Sequence, residues 1–211
     1  RERDWRTYGN LMRRRTKEDW MLWTKSCLRR SISETDYTAQ RGVTILYEGL
    51  GRQFHDIADH QDLIYDYLRM NAAGLEAVGP RYDLAIHIRR GDFSVGGNHG
   101  RQNIQTPISW YRTAWKASQV ALNLQQPRAI LFTDDDPEVV HAELDLPGIE
   151  IDRSRNALLS IMKMANAKLI IGSRSTFSLW GAFLGGARAI WPKQFDLSIY
   201  KPIDSKRDIF I

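Results

Sequence analysis

A chain of 211 residues is long enough for one large domain or two small ones. With 43% hydrophobic and 26% charged residues and only 7 Pro and 15 Gly, the composition excludes a disordered or collagen-like protein and predicts a compact fold. The formal net charge of +5 indicates an anionic partner, and residues 1–30 carry the excess with ten basic and four acidic side chains.

The single cysteine, Cys27, excludes an intramolecular disulfide and a multi-cysteine zinc site, and it is typical of a reducing compartment. No stretch approaches the ~18 apolar residues of a membrane span, and the first residues lack the apolar run of a signal peptide. We therefore expect a cytoplasmic protein. Because the chain begins with Arg rather than Met, the Golgi lumen is the expected location if an upstream anchor has been removed.

Residues 1–80 have a mainly helical pattern. Residues 10–28 indicate a basic helix, 43–47 a strand and 62–70 a second helix. This is too little for an independent α/β domain, so we interpret the segment as part of another lobe or a set of packing helices. The turn at Gly79-Pro80 is the predicted boundary, with residues 81–211 forming the second unit.

The basic opening segment also bears on partners. Trp5, Trp20 and Trp23 are interleaved with its basic side chains, which is one pattern of nucleic-acid binding, but helix interfaces explain this spacing more often. We predict no nucleic-acid partner. Peripheral contact of this basic segment with a membrane surface stays open as an alternative.

From residue 84 onward, short β-type runs alternate with helical patterns. Strands are predicted at 84–88, 129–132, 149–151, 168–171 and 187–191. Helices are predicted after Thr106-Pro107, after Asp136-Pro137, after Asn156 and over 177–184. Strands that alternate with helices predict an α/β fold with a doubly wound parallel sheet.

Residues 87–93 (HIRRGDF) leave the carboxyl end of the first of these strands, where open parallel sheets bind their ligands. The adjacent guanidinium groups of Arg89 and Arg90 can form bidentate hydrogen bonds to phosphate oxygens, and arginine stays charged at physiological pH. The alternative is a solvated arginine pair with Asp92 as an ordinary ion-pair partner. The strand-end position favours a pyrophosphate ligand.

A second polar loop, residues 172–178 (GSRSTFS), lies between the strand predicted at 168–171 and the following helix. Small hydroxyl residues before a helix can cap it, and the exposed N–H groups of the first turn can hold a phosphate. Capping alone is the simpler explanation of this loop. Because both loops follow parallel strands, we expect them at the same edge of the sheet, one with cations and the other with hydrogen-bond donors.

The acidic residues 133–136 (TDDD) end the strand at 129–132 and are the carboxylates best placed to meet a metal ion or a base edge. A metal site usually draws carboxylates from several segments, and Asp136 before Pro137 is explained as a helix cap. The histidines show no metal-ligand spacing. We predict no metal site, and Asp134 stays a candidate for ligand binding.

These segments resemble the α-1,2-fucosyltransferases of glycosyltransferase family 11 and, more distantly, the wider group of GDP-fucose transferases. Residues 87–93 are similar to the family's H-x-R-R-x-D-Y motif, and residues 175–180 to its S-[ST]-F-S-W-W motif. Residues 132–135 lie between them, where the family usually carries F-[ST]-D-D. The resemblance extends from about residue 45 to residue 191, and the three motifs are in the family's order.

The resemblance implies a two-lobed GT-B fold with residues 81–211 as the Rossmann-like donor-binding lobe. It also implies inverting transfer of L-fucose from GDP-fucose to a glycan hydroxyl, such as that of a galactoside, without a metal or other cofactor. The implied partners are therefore a GDP-sugar donor and a glycan acceptor. Two alternatives stay open, namely transfer of another nucleotide sugar and a non-catalytic nucleotide-sugar binding module.

The resemblance also implies roles for individual residues. Arg89, Arg90 and Asp92 form the implied catalytic set. The implied donor-binding residues are His87, Arg89, Arg90, Asp134, Arg174, Ser175, Thr176 and Phe177. Arginine and N–H groups can stabilise the negative charge that builds on departing GDP without a metal ion. The family's upstream G-x-G-N-Q loop has only a partial counterpart at residues 49–53 (GLGRQ), which favours an abbreviated acceptor lobe and keeps the binding-module alternative open.

Overall fold

A computed structural model describes residues 30–33, 43–46, 53–71, 79, 81–91, 104–154, 156–193 and 200–211. The helix predicted over residues 10–28 and the implied catalytic residue Asp92 lie outside the described residues. Two short strands, β1 (Arg30–Ser33) and β2 (Val43–Leu46), pair in parallel with each other. The sequence predicted β2 but not β1, so the prediction of a mainly helical first segment misses one strand.

The main sheet has six parallel strands in the described part of the chain. They are β3 (Leu84–Ile88), β4 (Ala129–Thr133), β5 (Ile149–Ile151), β6 (Leu169–Ile171), β7 (Arg188–Trp191) and β8 (Ile209–Phe210). Their order across the sheet is β5-β4-β3-β6-β7-β8. Numbered from the first strand of this sheet, the order is 3-2-1-4-5-6, which is that of a Rossmann-like fold. The five predicted strands are confirmed, and β8 was not predicted.

Five α-helices accompany these strands in the described residues: α1 (Gln61–Asn71), α2 (Ile108–Leu122), α3 (Pro137–Leu144), α4 (Ala157–Ala165) and α5 (Thr176–Gly185). A 3-10 helix, His55–His60, precedes α1. Local chemistry sets several of the helix starts. Asp136 caps α3 by accepting hydrogen bonds from the N–H groups of Glu138 and Val139, and Asn156 caps α4 in the same way.

The start of α2 differs from the prediction. Thr106 was expected to cap this helix with Pro107 as its first residue, but Pro107 occupies the cap position without a side-chain hydrogen bond and the helix begins at Ile108. Thr106 is instead buried, with its side chain beside Tyr111. Burial against the core therefore takes the threonine side chain away from the helix end.

Helices cover both faces of the sheet, as a doubly wound fold requires. Alternate residues of β3 point to opposite faces: Ala85 belongs to the core layer with α4 and α5, whereas Leu84 and Ile86 belong to the layer with α2 and α3. Phe54 and α1 pack into the first of these layers, so described residues on both sides of the predicted boundary share one core. The boundary at residue 80 stays a prediction. Within the described ranges, no helix is both long enough and apolar enough to cross a membrane.

Candidate functional site

The carboxyl ends of the central strands bring the predicted loops to one edge of the sheet. Strands β3 and β6 are neighbours, and the strand order reverses between them. In an open parallel sheet this reversal opens a crevice beyond the carboxyl ends of the strands, which is where such folds bind ligands. The segment 89–91 leaves β3 and the segment 172–175 leaves β6. The two polar loops therefore flank this crevice.

His87 links the two loops across the crevice. Its side chain is buried, and its Nδ1 lies 2.6 Å from Ser178 Oγ and 3.0 Å from Ser173 Oγ. Ser178 Oγ also accepts a hydrogen bond from the backbone N–H of Ser173, at 3.2 Å. The Phe177 ring packs against the imidazole with 4.9 Å between ring centroids. His87 thus fixes the end of β3 to the first turn of α5.

Burial sets the protonation state of this histidine. Removal from water lowers the pKa of His87 to about 3, and the positive charge of Arg89 acts in the same direction. The imidazole is therefore neutral at physiological pH. A neutral imidazole has one donor nitrogen and one acceptor nitrogen, and Nδ1 is the nitrogen that meets the two serine hydroxyls.

The first turn of α5 offers donors to an anion. Ser175 occupies the cap position, and its Oγ accepts a hydrogen bond from the N–H of Phe177 at 3.2 Å. Thr176, the first helical residue, is exposed, and Arg174 is partly exposed in the preceding loop. The amino end of a ten-residue helix carries partial positive charge and N–H groups without helical partners. A hydroxyl residue of this loop therefore caps the helix, as the sequence indicated, and the helix begins one residue earlier than predicted.

Arg89 and Arg90 point in different directions. Arg89 Nη1 lies 3.0 Å from Asp134 Oδ2, and its charge acts on His87. Arg90 turns to the other face of the sheet, where its guanidinium is paired with Glu143 of α3 and lies 3.9 Å from Asp135. This pairing raises the pKa of Arg90 and lowers that of Glu143. The two guanidinium groups do not form the side-by-side pair that the sequence suggested.

Asp134 contacts three groups of the segment 89–91. Its Oδ1 accepts a hydrogen bond from the backbone N–H of Arg90 at 2.8 Å, and its Oδ2 accepts one from the N–H of Gly91 at 3.0 Å. The same Oδ2 forms the ion pair with Arg89. Asp134, which was predicted to bind the donor, therefore also has a structural role, because it holds the segment 89–91 in place.

Sequence reasoning missed a polar cluster that follows β5 at the same edge. The Asp152 side chain is only 3% exposed and pairs with Lys163 Nζ at 2.8 Å. It also accepts hydrogen bonds from the hydroxyls of Ser154 and Ser160, at 2.6 and 2.5 Å. The sequence signal that could have revealed this cluster is Asp152 itself, because it directly follows the strand predicted at residues 149–151.

Tyr111 of α2 lies on the buried face of its helix, and sequence reasoning did not consider its hydroxyl. The hydroxyl is buried without a hydrogen-bond partner within the described residues. Thr106 and Ser173 are its polar neighbours, yet neither completes a hydrogen bond of good geometry. Burial raises the pKa of Tyr111 above its ordinary value, so the phenol stays protonated.

In the described residues, no metal cluster lies at this edge, and the cavity beside α5 lies elsewhere. In the described part of the chain, no group of three or more His, Cys, Asp or Glu side chains is arranged to hold a metal ion. A cavity of about 380 Å³ is lined by Ala182, Phe183 and Gly186 at the carboxyl end of α5. The candidate site lies at the amino end of that helix, about 15 Å away along ten residues. The chemistry of the side chains, rather than enclosed volume, identifies the site.

Of the predicted site residues, His87, Arg89, Asp134 and the segment 174–177 lie around the crevice. Arg90 is adjacent in sequence but directed toward α3. Comparison with known proteins found no matching family model and no matching curated protein.

Proposed function

We propose that the protein is a glycosyltransferase that transfers L-fucose from GDP-fucose to a glycan hydroxyl, or the donor-binding lobe of such an enzyme. One observation carries the proposal. His87 of the HIRRGD segment is hydrogen-bonded to Ser178 of the STFS segment, 91 positions along the chain. The two segments that resemble fucosyltransferase motifs therefore meet at the ligand-binding edge of a parallel sheet.

The diphosphate of the donor fits the charge at this edge. Arg89 supplies a permanent cation, and the first turn of α5 supplies N–H groups and partial positive charge. The neutral imidazole of His87 gives a hydrogen-bonding group to the nucleotide without adding charge. In this proposal Ser175, Thr176 and Phe177 lie against the phosphates and Arg174 adds a second cation.

The proposed reaction is a single displacement with inversion. The acceptor hydroxyl forms a bond to the anomeric carbon of fucose, the bond from that carbon to the GDP oxygen breaks, and the hydroxyl proton is released. Negative charge builds on GDP as it departs. Preorganised cationic and N–H groups stabilise such charge in proportion to its growth, so that Arg89 and α5 take the place that a metal ion has in other transferases.

The six-stranded sheet fits the donor-binding half of a GT-B enzyme. Its 3-2-1-4-5-6 strand order is that of dinucleotide-binding folds, in which a diphosphate lies at the amino end of a helix. Two helices, α2 and α5, follow the strands on either side of the reversal, and α5 is the one whose amino end carries the STFS segment. Guanine and fucose are proposed from the motif resemblance alone, whereas the diphosphate is also supported by the charge and the helix amino end at this edge.

A donor panel tests the proposal. Transfer to a galactoside is measured with GDP-fucose, GDP-mannose and UDP-galactose under identical conditions, and product is expected with GDP-fucose alone. Product with UDP-galactose would contradict the donor assignment. Tight binding of GDP without turnover by any donor would instead support a non-catalytic nucleotide-sugar binding module.

A further inference from the structure

Asp134 and Gly91 fit together in a way that the proposed donor site does not itself require. The carboxylate of Asp134 receives two consecutive backbone N–H groups, those of Arg90 and Gly91. Consecutive N–H groups directed at one point form an anion-binding concavity. In this protein the concavity is filled by a carboxylate of the protein itself, and the same carboxylate is ion-paired with Arg89.

The absence of a side chain at Gly91 makes room for this carboxylate. A Cβ atom at position 91 would lie 2.4 Å from Asp134 Oδ2, which is closer than any real contact. The backbone of Gly91 does not have a positive φ, so an alanine could adopt its conformation. The glycine at position 91 is therefore explained by the space that the Asp134 carboxylate occupies, and not by an unusual backbone angle.

We infer that Asp134 is a positioning residue that holds Arg89 and the turn after β3 in the conformation that binds the donor diphosphate. This inference rests on the proposed function. A guanidinium has five N–H donors, so Arg89 can contact Asp134 and a phosphate oxygen together. An arginine that is already oriented loses less side-chain entropy when it binds, which strengthens the affinity for the diphosphate.

Two variants disturb the arrangement by different routes. Asp134→Asn removes the charge paired with Arg89 and one of the two acceptor oxygens. Gly91→Ala leaves the carboxylate in the chain but displaces it from the turn. Asp135→Asn is the matched control, because Asp135 is the neighbouring carboxylate, is 46% exposed and lies 3.9 Å from Arg90.

Binding of GDP to the full chain is measured by calorimetry, together with the melting temperature of each variant. Both test variants are expected to weaken GDP binding about tenfold, and the double variant no more than either single one, because they remove the same interaction. Asp135→Asn is expected to change the affinity less than about twofold. Unchanged GDP affinity in Asp134→Asn, with only a lower melting temperature, would overturn the inference. So would tighter GDP binding, since Asp134 would then compete with phosphate for Arg89.

A second measurement separates this inference from the proposed function. The side-chain N–H signals of Arg89 in a ¹⁵N NMR spectrum of the ligand-free protein report whether the guanidinium is held in place. We expect slow exchange in the wild type and fast exchange in Asp134→Asn and Gly91→Ala. If the wild type binds no GDP, the proposed function fails while this result still supports positioning by Asp134. Slow exchange in both variants would overturn the positioning role.

Discussion

At the scale of single residues, Arg89 and Arg90 differ more than their adjacency in the sequence suggests. Arg89 lies against Asp134 near His87, whereas Arg90 is bound to Glu143 on the opposite face of the sheet. Arg112 donates hydrogen bonds to the carbonyl groups of Glu143 and Leu144, so the partner of Arg90 is itself held by α2. Arg90 therefore connects the end of β3 to α3, and Arg89 is the phosphate ligand in the proposed site.

Lysine substitution tests this difference, because lysine keeps the charge but lacks the planar fork of arginine. Arg89→Lys is expected to lower the rate of transfer from GDP-fucose ~10²-fold, the cost of losing one preorganised donor to a developing anion. Arg90→Lys is the matched control and should lower the rate less than ~10-fold. Steady-state kinetics with circular dichroism to verify folding gives the comparison. A larger loss of rate in Arg90→Lys than in Arg89→Lys would show that Arg90, and not Arg89, contacts the phosphate.

His87 predicts a dependence of stability on pH. Its pKa is about 3 in the folded protein and about 6.5 when unfolded, so between these values the unfolded state binds one proton more. Acid therefore favours unfolding, and between pH 6 and pH 4 this group alone lowers the free energy of unfolding by at most about 1.4 kcal/mol per pH unit. Urea unfolding at pH 7, 6, 5 and 4 should give a steeper decline for the wild type than for His87→Gln. Parallel curves for the two proteins would mean that His87 is protonated in the folded state.

The sequence shows the identity of the site residues better than their contacts. The pattern of residues 87–93 was enough to place His87 and Arg89 at a strand end, because strands and their ends are local features. The contacts of His87 to Ser173 and Ser178 form only because β3 and β6 are neighbours in the sheet, and local patterns do not specify which strands are neighbours. For the same reason the pairing of Arg90 with Glu143 was not predicted.

At the scale of elements, α4 packs closely against the carboxyl half of α5. A Cβ atom added at Gly185 would lie 2.1 Å from the carbonyl oxygen of Ala165, and one at Gly181 would lie 2.5 Å from Met164 Sδ. The first obstacle is backbone, whereas the second is a flexible side chain. The two glycines thus allow the helices to approach closely. Position 181 should tolerate a larger side chain better than position 185, because its obstacle is a side chain rather than backbone.

Alanine substitution at each glycine measures that tolerance. Gly185→Ala is expected to lower the free energy of unfolding by ~2 to 3 kcal/mol, since the backbone of Ala165 must move. Gly181→Ala should lower it less, by about 1 kcal/mol, because the buried Met164 side chain must shift rather than backbone, and because alanine favours the helix by ~1 kcal/mol. Urea unfolding of the two variants gives both values. Equal losses would show that the spacing between α4 and α5 is not fixed by the backbone contact.

Elements were predictable where their signals are local. Asp136 and Asn156 each cap the helix that the sequence assigns to them, and a hydroxyl residue of the loop before α5 caps that helix, because a cap hydrogen bond joins residues two or three positions apart. Strand β8 has only two residues and is defined by its pairing with β7, so no local pattern reveals it. Strand β1 likewise is recognised through its pairing with β2.

At the scale of the whole molecule, the strand order creates the site. Residues 87–93 and 172–178 become neighbours only because β3 and β6 are adjacent at the centre of the sheet. The alternation of strands and helices predicted the fold class, but not this order, since several doubly wound orders share the same alternation. For the acceptor-binding half of the proposed enzyme, the sequence predicts only that part of it precedes residue 80.

The proposed enzyme should not require a metal ion. Arg89 and the amino end of α5 supply the positive charge, and the described residues contain no cluster of metal ligands. Transfer from GDP-fucose is therefore expected to keep its rate in excess EDTA. Loss of activity in EDTA with recovery in Mn²⁺ would contradict this mechanism and make Asp134 and Asp135 the ligands to examine.

In the proposed function, the carboxyl edge of the sheet binds a guanosine diphosphate, and calorimetric titration of the full chain with GDP, UDP and ADP measures this binding. We expect GDP to bind most tightly, in the presence of EDTA, with affinity lost in Arg89→Ala and retained in a variant at the remote cavity such as Lys201→Ala. Equal or tighter binding of UDP, or GDP binding that does not change in Arg89→Ala, would contradict the account.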